Sequence, residues 1–219
     1  SVLRGTNAHA FLTELRSVCP NLRAVIVGHQ WHFGCDRDGN FSVLSRFAAE
    51  RGFEAVEVPP VRHEGEIISS TRIRALVGEG RMEEAARLLG RPYSIRARVV
   101  PGSGIGRMLG FPTANLQVEN ELLPAPGVYA CRVRSEGESH AAALNCGHRP
   151  TLPGQATASL TVEAHLIDFR GDLKDARVEV DFGTRLRDER KFAGAEELRA
   201  QIARDVAGVR ASWSAFQGR

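Results

Sequence analysis

Long apolar runs are missing from this sequence. No stretch approaches the roughly eighteen consecutive apolar residues that a membrane-crossing helix needs, so neither a transmembrane span nor a membrane partner is expected. Cysteines are few (Cys19, Cys35, Cys131 and Cys146), irregularly spaced and without a C-x-x-C pair. That argues against a zinc ribbon or a disulfide framework and makes reduced thiols in a cytoplasmic protein the default. A dominant charge is lacking too: 29 Lys and Arg face 26 Asp and Glu, for a formal net charge of +3, and the basic residues are spread along the chain rather than gathered in an arm. The balance slightly favours small anionic ligands and argues against nucleic acid. Aromatic residues make up only 6% of the chain, too few for the stacking face of a single-strand-binding barrel. Neither common glycine-rich phosphate signature is present, since no Gly-Lys-Ser/Thr closes a loop and no G-x-G-x-x-G opens a helix. No signal sequence is visible, and the chain opens on Ser1 rather than Met, which favours a truncated start.

What is there fits two modules. With 219 residues, 42% hydrophobic and 25% charged, the chain can bury one large core or two small ones. In residues 8–19, Phe11, Leu12, Leu15 and Val18 form one helical stripe, and 22–28 is a short apolar strand. Residues 41–51 read as helix and 55–58 as strand, ended by Pro59 and Pro60. This alternation indicates an α/β layer with a parallel sheet, with too few strands for a complete doubly wound domain. Two short helices follow: one after Ser69 and Ser70, whose hydroxyls could cap it, carries Ile73, Leu76 and Val77 and ends at Gly78 with Gly80, and a second spans about 82–89, with Gly90 as its cap and Pro92 barring its continuation. The domain boundary is therefore expected here, dividing 1–90 from 91–219. Beyond it, 93–100, 127–133, 141–144, 160–167 and 176–182 read as strands with Greek-key-like spacing, which suggests a small closed antiparallel barrel. A last helix over about 195–216 carries Leu198, Ile202, Val206, Val209, Trp213 and Phe216 on one stripe that should pack on the barrel.

The most informative run is GIGRMLGFPTAN, 104–115. Gly104 and Gly106 permit backbone conformations and close approaches that side chains forbid, so bare N–H groups there could line an anion. Pro112 holds Phe111 extended, and Thr113 and Asn115, two apart, share one face of an extended segment. A hydroxyl and an amide oxygen beside phosphates are suitable ligands for Mg²⁺. On these residues alone, an ordinary loop with an Asn turn is the alternative.

GIGRMLGFPTANL, followed by LLPAPGVYA (122–130), NCGHRPTL (145–152), VEAHLIDFRGDL (162–173) and RLRDERKF (185–192), resembles the riboflavin kinase module of bacterial bifunctional riboflavin kinase/FAD synthetases. The five ordered blocks cover essentially all of 92–219. Upstream, VGHQWHFGCDRDGNF (27–41) and ISSTRIR (68–74) look like the later motifs of the FMN adenylyltransferase half. The resemblance implies a partial, Rossmann-like nucleotidyltransferase module followed by a closed antiparallel β-barrel with a C-terminal helix. It also implies an ATP-dependent kinase converting riboflavin to FMN, using Mg²⁺ and small-molecule partners, as a monomer or weak homo-oligomer. The early Gly-x-Phe-Asp and His-x-Gly-His elements of the adenylyltransferase are not found, so no FAD synthesis is expected from this polypeptide.

Roles carry over residue by residue. In 160–167, Val162, Ala164 and Leu166 point one way and Thr161, Glu163 and His165 the other. Read alone, Glu163 is as well explained by a solvated edge as by catalysis; the resemblance makes it the general base. Gly104, Gly106 and Arg107 would flap over the ATP phosphates, with Asn145, Arg149 and Thr151 on the nucleotide side, and Thr113 and Asn115 would hold the metal. Arg187, Glu189 and Phe192 would form the flavin side, although a solvated charge cluster explains RDERK equally well. Ser70, Thr71 and Arg72 would be the residual adenylyltransferase phosphate site. A non-catalytic flavin- or nucleotide-binding protein that kept the barrel remains the alternative class.

Overall fold

The computed structural model describes residues 5–102, 104–148 and 160–213. They fall into two compact units, Ser1–Ile68 and Ser69–Arg219.

The first unit contains helices α1 (Ala8–Val18) and α2 (Phe41–Arg51) and the parallel strands β1 (Ala24–Gly28) and β2 (Glu54–Val58), followed by a small hairpin, β3 (Arg62–His63) and β4 (Glu66–Ile67). Side-chain oxygens start both helices: Asn7 accepts from the Ala10 amide and Asn40 from the Val43 amide, while Gly52 ends α2 in the left-handed conformation. Leu12, Leu44, Phe47 and Phe53 form the core on one face of the two-stranded sheet. On the other face Ile26 lies opposite Val56 and is 66% exposed.

The second unit opens with α3 (Ser70–Gly78), capped by the Ser69 hydroxyl, and α4 (Met82–Leu89), closed by Gly90 at φ 69°. These helices cluster with the barrel, and the compact units divide at Ile68/Ser69. The reason is packing. The apolar face of α4 (Met82, Ala85, Ala86 and Leu88) is buried, Thr184 donates to Glu83 at 3.0 Å, and the Ala125 amide reaches the Val77 carbonyl at 3.3 Å.

Six strands close the barrel: β5 (Ser94–Val100), β6 (Ala114–Val118), β7 (Gly127–Ser135), β8 (Glu138–His148), β9 (Leu160–Leu166) and β10 (Arg177–Arg187), in the order β10-β5-β6-β9-β8-β7, every pair antiparallel. The sequence pattern gives five strands; the sixth, β6, is the continuation of the Pro-Thr-Ala-Asn segment. Between β5 and β6 lies a short helix, α5 (Ile105–Met108). Glu136 and Gly137, both at positive φ, make the two-residue turn joining β7 to β8. Inward residues alternate with outward ones. Ile95, Tyr129, Leu144, Val180 and Phe182 are fully buried, and the Tyr129 hydroxyl donates to the Ala125 carbonyl at 2.5 Å. Helix α6 (Ala195–Ser212) covers part of the outer wall, where Val206 and Val209 pack on Ala130, Ala143 and Ile167. Phe216 lies outside the described residues. The fold class read from the sequence, a partial α/β module followed by a closed antiparallel barrel and a C-terminal helix, is borne out.

Candidate active site

Barrel registry builds the site. Asn115 on β6 pairs with Glu163 on β9, Glu163 with Asn145 on β8, Asn145 with Val128 on β7, and Val128 with Arg187 on β10. Directly opposed residues stand about 5 Å apart and share a face, so one row around the outer wall brings together an amide, a carboxylate, a second amide and a guanidinium. Val162 and Ala164 are buried inside the barrel, whereas Glu163 is half-buried on the outer wall, as the alternation along 160–167 requires.

Two cavities open on this row. The first, about 660 Å³, is lined by Gly102, Gly104, Arg107, Pro112, Thr113 and Asn115 on one side and by 169–174 on the other. Arg107, Arg170 and Lys174 face a single carboxylate, Asp172, and among the described residues none of the three cations is in a salt bridge. The cavity therefore attracts anions. The second, about 280 Å³, is lined by Glu163, His165, Asn145, Arg187, Glu189, Arg190, Phe192 and Asp205, with Leu198 and Ile202 of α6 supplying apolar surface. Thr113 lines both cavities, and no other of the described residues does.

Local glycines make this geometry feasible. A Cβ at Gly102 would overlap the Asn115 amide, and one at Gly106 would overlap the Phe111 carbonyl, while Gly104 sits at φ +73°. Gly104 and Arg107 line the first cavity and Gly106 the second. On the opposite side, Arg187 grips the buried Asp205 through Nε at 3.0 Å and Nη2 at 2.8 Å. Gln201 donates to the same carboxylate at 2.8 Å. The Phe192 ring lies 5.6 Å from the Arg187 guanidinium carbon and 4.7 Å from that of Arg190. Arg187 thus ties the loop after β10 to α6 as well as lining the cavity.

Most of the sequence candidates converge here: Gly104, Gly106, Arg107, Thr113, Asn115, Asn145, Glu163, Arg187, Glu189 and Phe192 all line one or both cavities. Arg149 and Thr151 lie outside the described residues. Ser70, Thr71 and Arg72 line neither cavity; they form the first turn of α3, where the Ser69 hydroxyl accepts the Arg72 amide at 3.2 Å. The sequence reading missed the 169–174 wall, Asp205 and the contact of His165, whose Nδ1 lies 2.7 Å from the Pro112 carbonyl. For the wall, the cluster of Arg170, Asp172 and Lys174 straight after β9 was the available signal.

A family model described as riboflavin kinase matches residues 89–213, more than half of the chain. The chain belongs to the riboflavin kinase family. A second model, described as FAD synthetase, matches residues 2–72. The bifunctional riboflavin kinase/FMN adenylyltransferase of Pseudomonas fluorescens is 39% identical over 209 residues, covering 95% of this chain and 67% of that protein. The protein of that name from Escherichia coli K12 is 36% identical over 199 residues, covering 90% and 63%. The chain thus spans about two thirds of the length of these curated relatives. A crystal structure described as a macrolide-efflux protein from Streptococcus pneumoniae superposes with a TM-score of 0.83 at 31% identity, covering 96% of this chain and 67% of that one. The efflux description concerns that protein; among the described residues of this chain, no helix is long and apolar enough to cross a membrane. Kinship with the riboflavin kinases is thus carried by the family-model match over 89–213 and by these relatives.

Proposed function

We propose that the barrel unit transfers the γ-phosphoryl group of ATP to the 5′-hydroxyl of riboflavin, giving FMN and ADP. The observation that carries this reading is the meeting of a cationic cavity and a partly apolar one at Thr113, with Glu163 on the wall of the second. Phosphoryl transfer asks a protein mainly to align donor and acceptor and to neutralise charge, with one group to take the alcohol proton. ATP occupies the first cavity with its phosphates toward Gly104, Arg107 and Thr113. Riboflavin occupies the second, its ring system against Phe192, Leu198 and Ile202 and its ribityl chain toward Glu163. The 5′ oxygen bonds to the γ-phosphorus as the bond from that phosphorus to the β–γ bridging oxygen breaks. Glu163 accepts the hydroxyl proton, and ADP leaves with the bridging oxygen's electron pair.

Magnesium fits the residues present. Among the described residues, no group of three or more His, Cys, Asp or Glu side chains could hold a metal, while Thr113 and Asn115 offer neutral oxygens beside the cationic cavity. Such a pair suits an ion that arrives with the nucleotide phosphates and keeps much of its water. Bound there, the ion offsets charge on the phosphates. Thr113 and Asn115 would hold it, the missing Cβ of Gly102 leaving the Asn115 amide its room.

Residues 1–68 and the start of α3 are read as part of an FMN adenylyltransferase half, supported by the FAD synthetase match over 2–72; Ser70, Thr71 and Arg72 are its phosphate-contact candidates. The kinase reading is tested with Glu163→Gln. FMN formation should fall by about 10²- to 10⁴-fold, the usual worth of a general base, with riboflavin affinity nearly unchanged. Unchanged turnover would remove Glu163 from that role.

A further inference from the structure

The wall shared by the two cavities has an unusual anchor. The β6–β9 ladder begins at Ala114 opposite Ala164, and extending that register places Thr113 opposite His165 and Pro112 opposite Leu166. Pro112 has no N–H to donate, so the ladder cannot continue in the ordinary way. A side chain substitutes for it: His165 Nδ1 lies 2.7 Å from the Pro112 carbonyl oxygen. A carbonyl only accepts, so Nδ1 carries the proton and donates it. The same ring meets Phe111 edge-on, with centroids 5.4 Å apart at 87°. Phe111 in turn closes the glycine loop, its amide donating to the Gly106 carbonyl at 2.8 Å. One imidazole, two residues along β9 from Glu163 and on the same outer face, therefore touches both residues that precede Thr113.

We propose that His165 is a positioning residue for phosphoryl transfer: by donating to the Pro112 carbonyl it fixes Thr113 on the wall between the nucleotide and flavin cavities. The assignment rests on the kinase reading above. It makes a counter-intuitive prediction. His165 lines the flavin-side cavity, yet its loss acts on the nucleotide and metal side, through the backbone of residue 112.

Three variants separate the possibilities. Asn places an amide donor where Nδ1 stands, Gln places one near Nε2, and Leu keeps bulk without a donor. For His165→Leu, kcat should fall about 10- to 100-fold, the cost of displacing an aligned group by about an ångström, with half-saturation by Mg·ATP raised and riboflavin affinity held within about threefold. His165→Asn should recover most of the loss and His165→Gln should not. Binding of Mg·ADP, measured by calorimetry on the same proteins, gives a readout independent of turnover: His165→Leu should weaken it about tenfold with Mg²⁺ present and leave metal-free ADP binding unchanged. Should wild type bind Mg·ADP but form no FMN, the kinase reading fails while the His165 comparison still stands on binding. The proposal is overturned if the Leu variant keeps wild-type kcat and Mg·ADP binding, if riboflavin affinity alone changes, if Gln restores function as well as Asn, or if wild type binds no Mg·ADP. A Leu variant that does not fold shifts the decision to the Asn and Gln pair.

Discussion

The two units treat their apolar surface in opposite ways. The barrel closes on itself, leaving no open strand edge, and its outer wall is partly covered by α6. The first unit has a two-stranded parallel sheet with one packed face. Of the six large apolar side chains left exposed among the described residues, five (Val18, Ile26, Val58, Val61 and Ile67) belong to this unit and only Met108 to the other. Parallel strands are ordinarily covered on both faces, and open apolar edges invite association. A row of site residues held by strand pairing needs the rigid scaffold, and it lies on the closed one.

That contrast can be broken where it is strongest. Phe182 is fully buried and packs edge-on against Tyr129. Phe182→Ala should cost about 3–5 kcal/mol in urea unfolding of the barrel; a cost below about 1 kcal/mol would show a core able to collapse around the gap. A smaller effect is expected at the site. Asn115→Ala removes one proposed metal ligand and should lower kcat about 10- to 100-fold, which corresponds to roughly 1.4–2.7 kcal/mol, with a raised Mg²⁺ requirement. An unchanged Mg²⁺ dependence would take Asn115 out of the metal site.

Alkali should find the barrel as well. Burial pushes the Cys146 thiol from 9.0 up to about 11, the Tyr129 phenol from 10.0 up to about 12, and the Cys131 thiol well above 9.0. These groups are held neutral when folded and ionise more readily when unfolded, so their contribution is intact below about pH 9 and is lost as pH rises toward 11–12. The urea midpoint of the barrel should be steady to about pH 9 and fall beyond it; a midpoint that stays flat to pH 11 would contradict the burial of these groups. Thiol labelling sharpens the same point, because exposed Cys19 should react at once and Cys131 and Cys146 only on unfolding. The smallest effect belongs to the other unit. Ile26→Thr should change stability by less than about 0.5 kcal/mol and reduce any self-association seen by sedimentation; a large loss of stability would mean that Ile26 is covered.

How legible the molecule was follows the range of its interactions. The alternation of Val162, Ala164 and Leu166 against Glu163 and His165 is local, and it separated the inner face of the strand from the outer one directly, while the base role proposed for Glu163 came only with the family resemblance. Gly104, Gly106, Thr113 and Asn115 were readable because they fall within twelve residues. Strand β6 was hidden because the Pro112 that stops its ladder also disguises its beginning. The docking of α3 and α4 on the barrel was invisible beneath a convincing Gly90–Pro92 stop, since nothing near Glu83 announces Thr184. The His165–Pro112 link joins residues 53 apart and Arg187–Asp205 residues 18 apart, so no spacing rule reveals either. The run RDERK, open to two readings in sequence, contributes Arg187, Glu189 and Arg190 to the second cavity.

The central claim is that the two cavities meeting at Thr113 serve one reaction. It is tested most directly by incubating the chain with riboflavin, ATP and Mg²⁺ and separating flavins and nucleotides by chromatography. The account predicts FMN and ADP appearing in equal amounts. Riboflavin and nucleotide both bound, with no FMN formed, would contradict it.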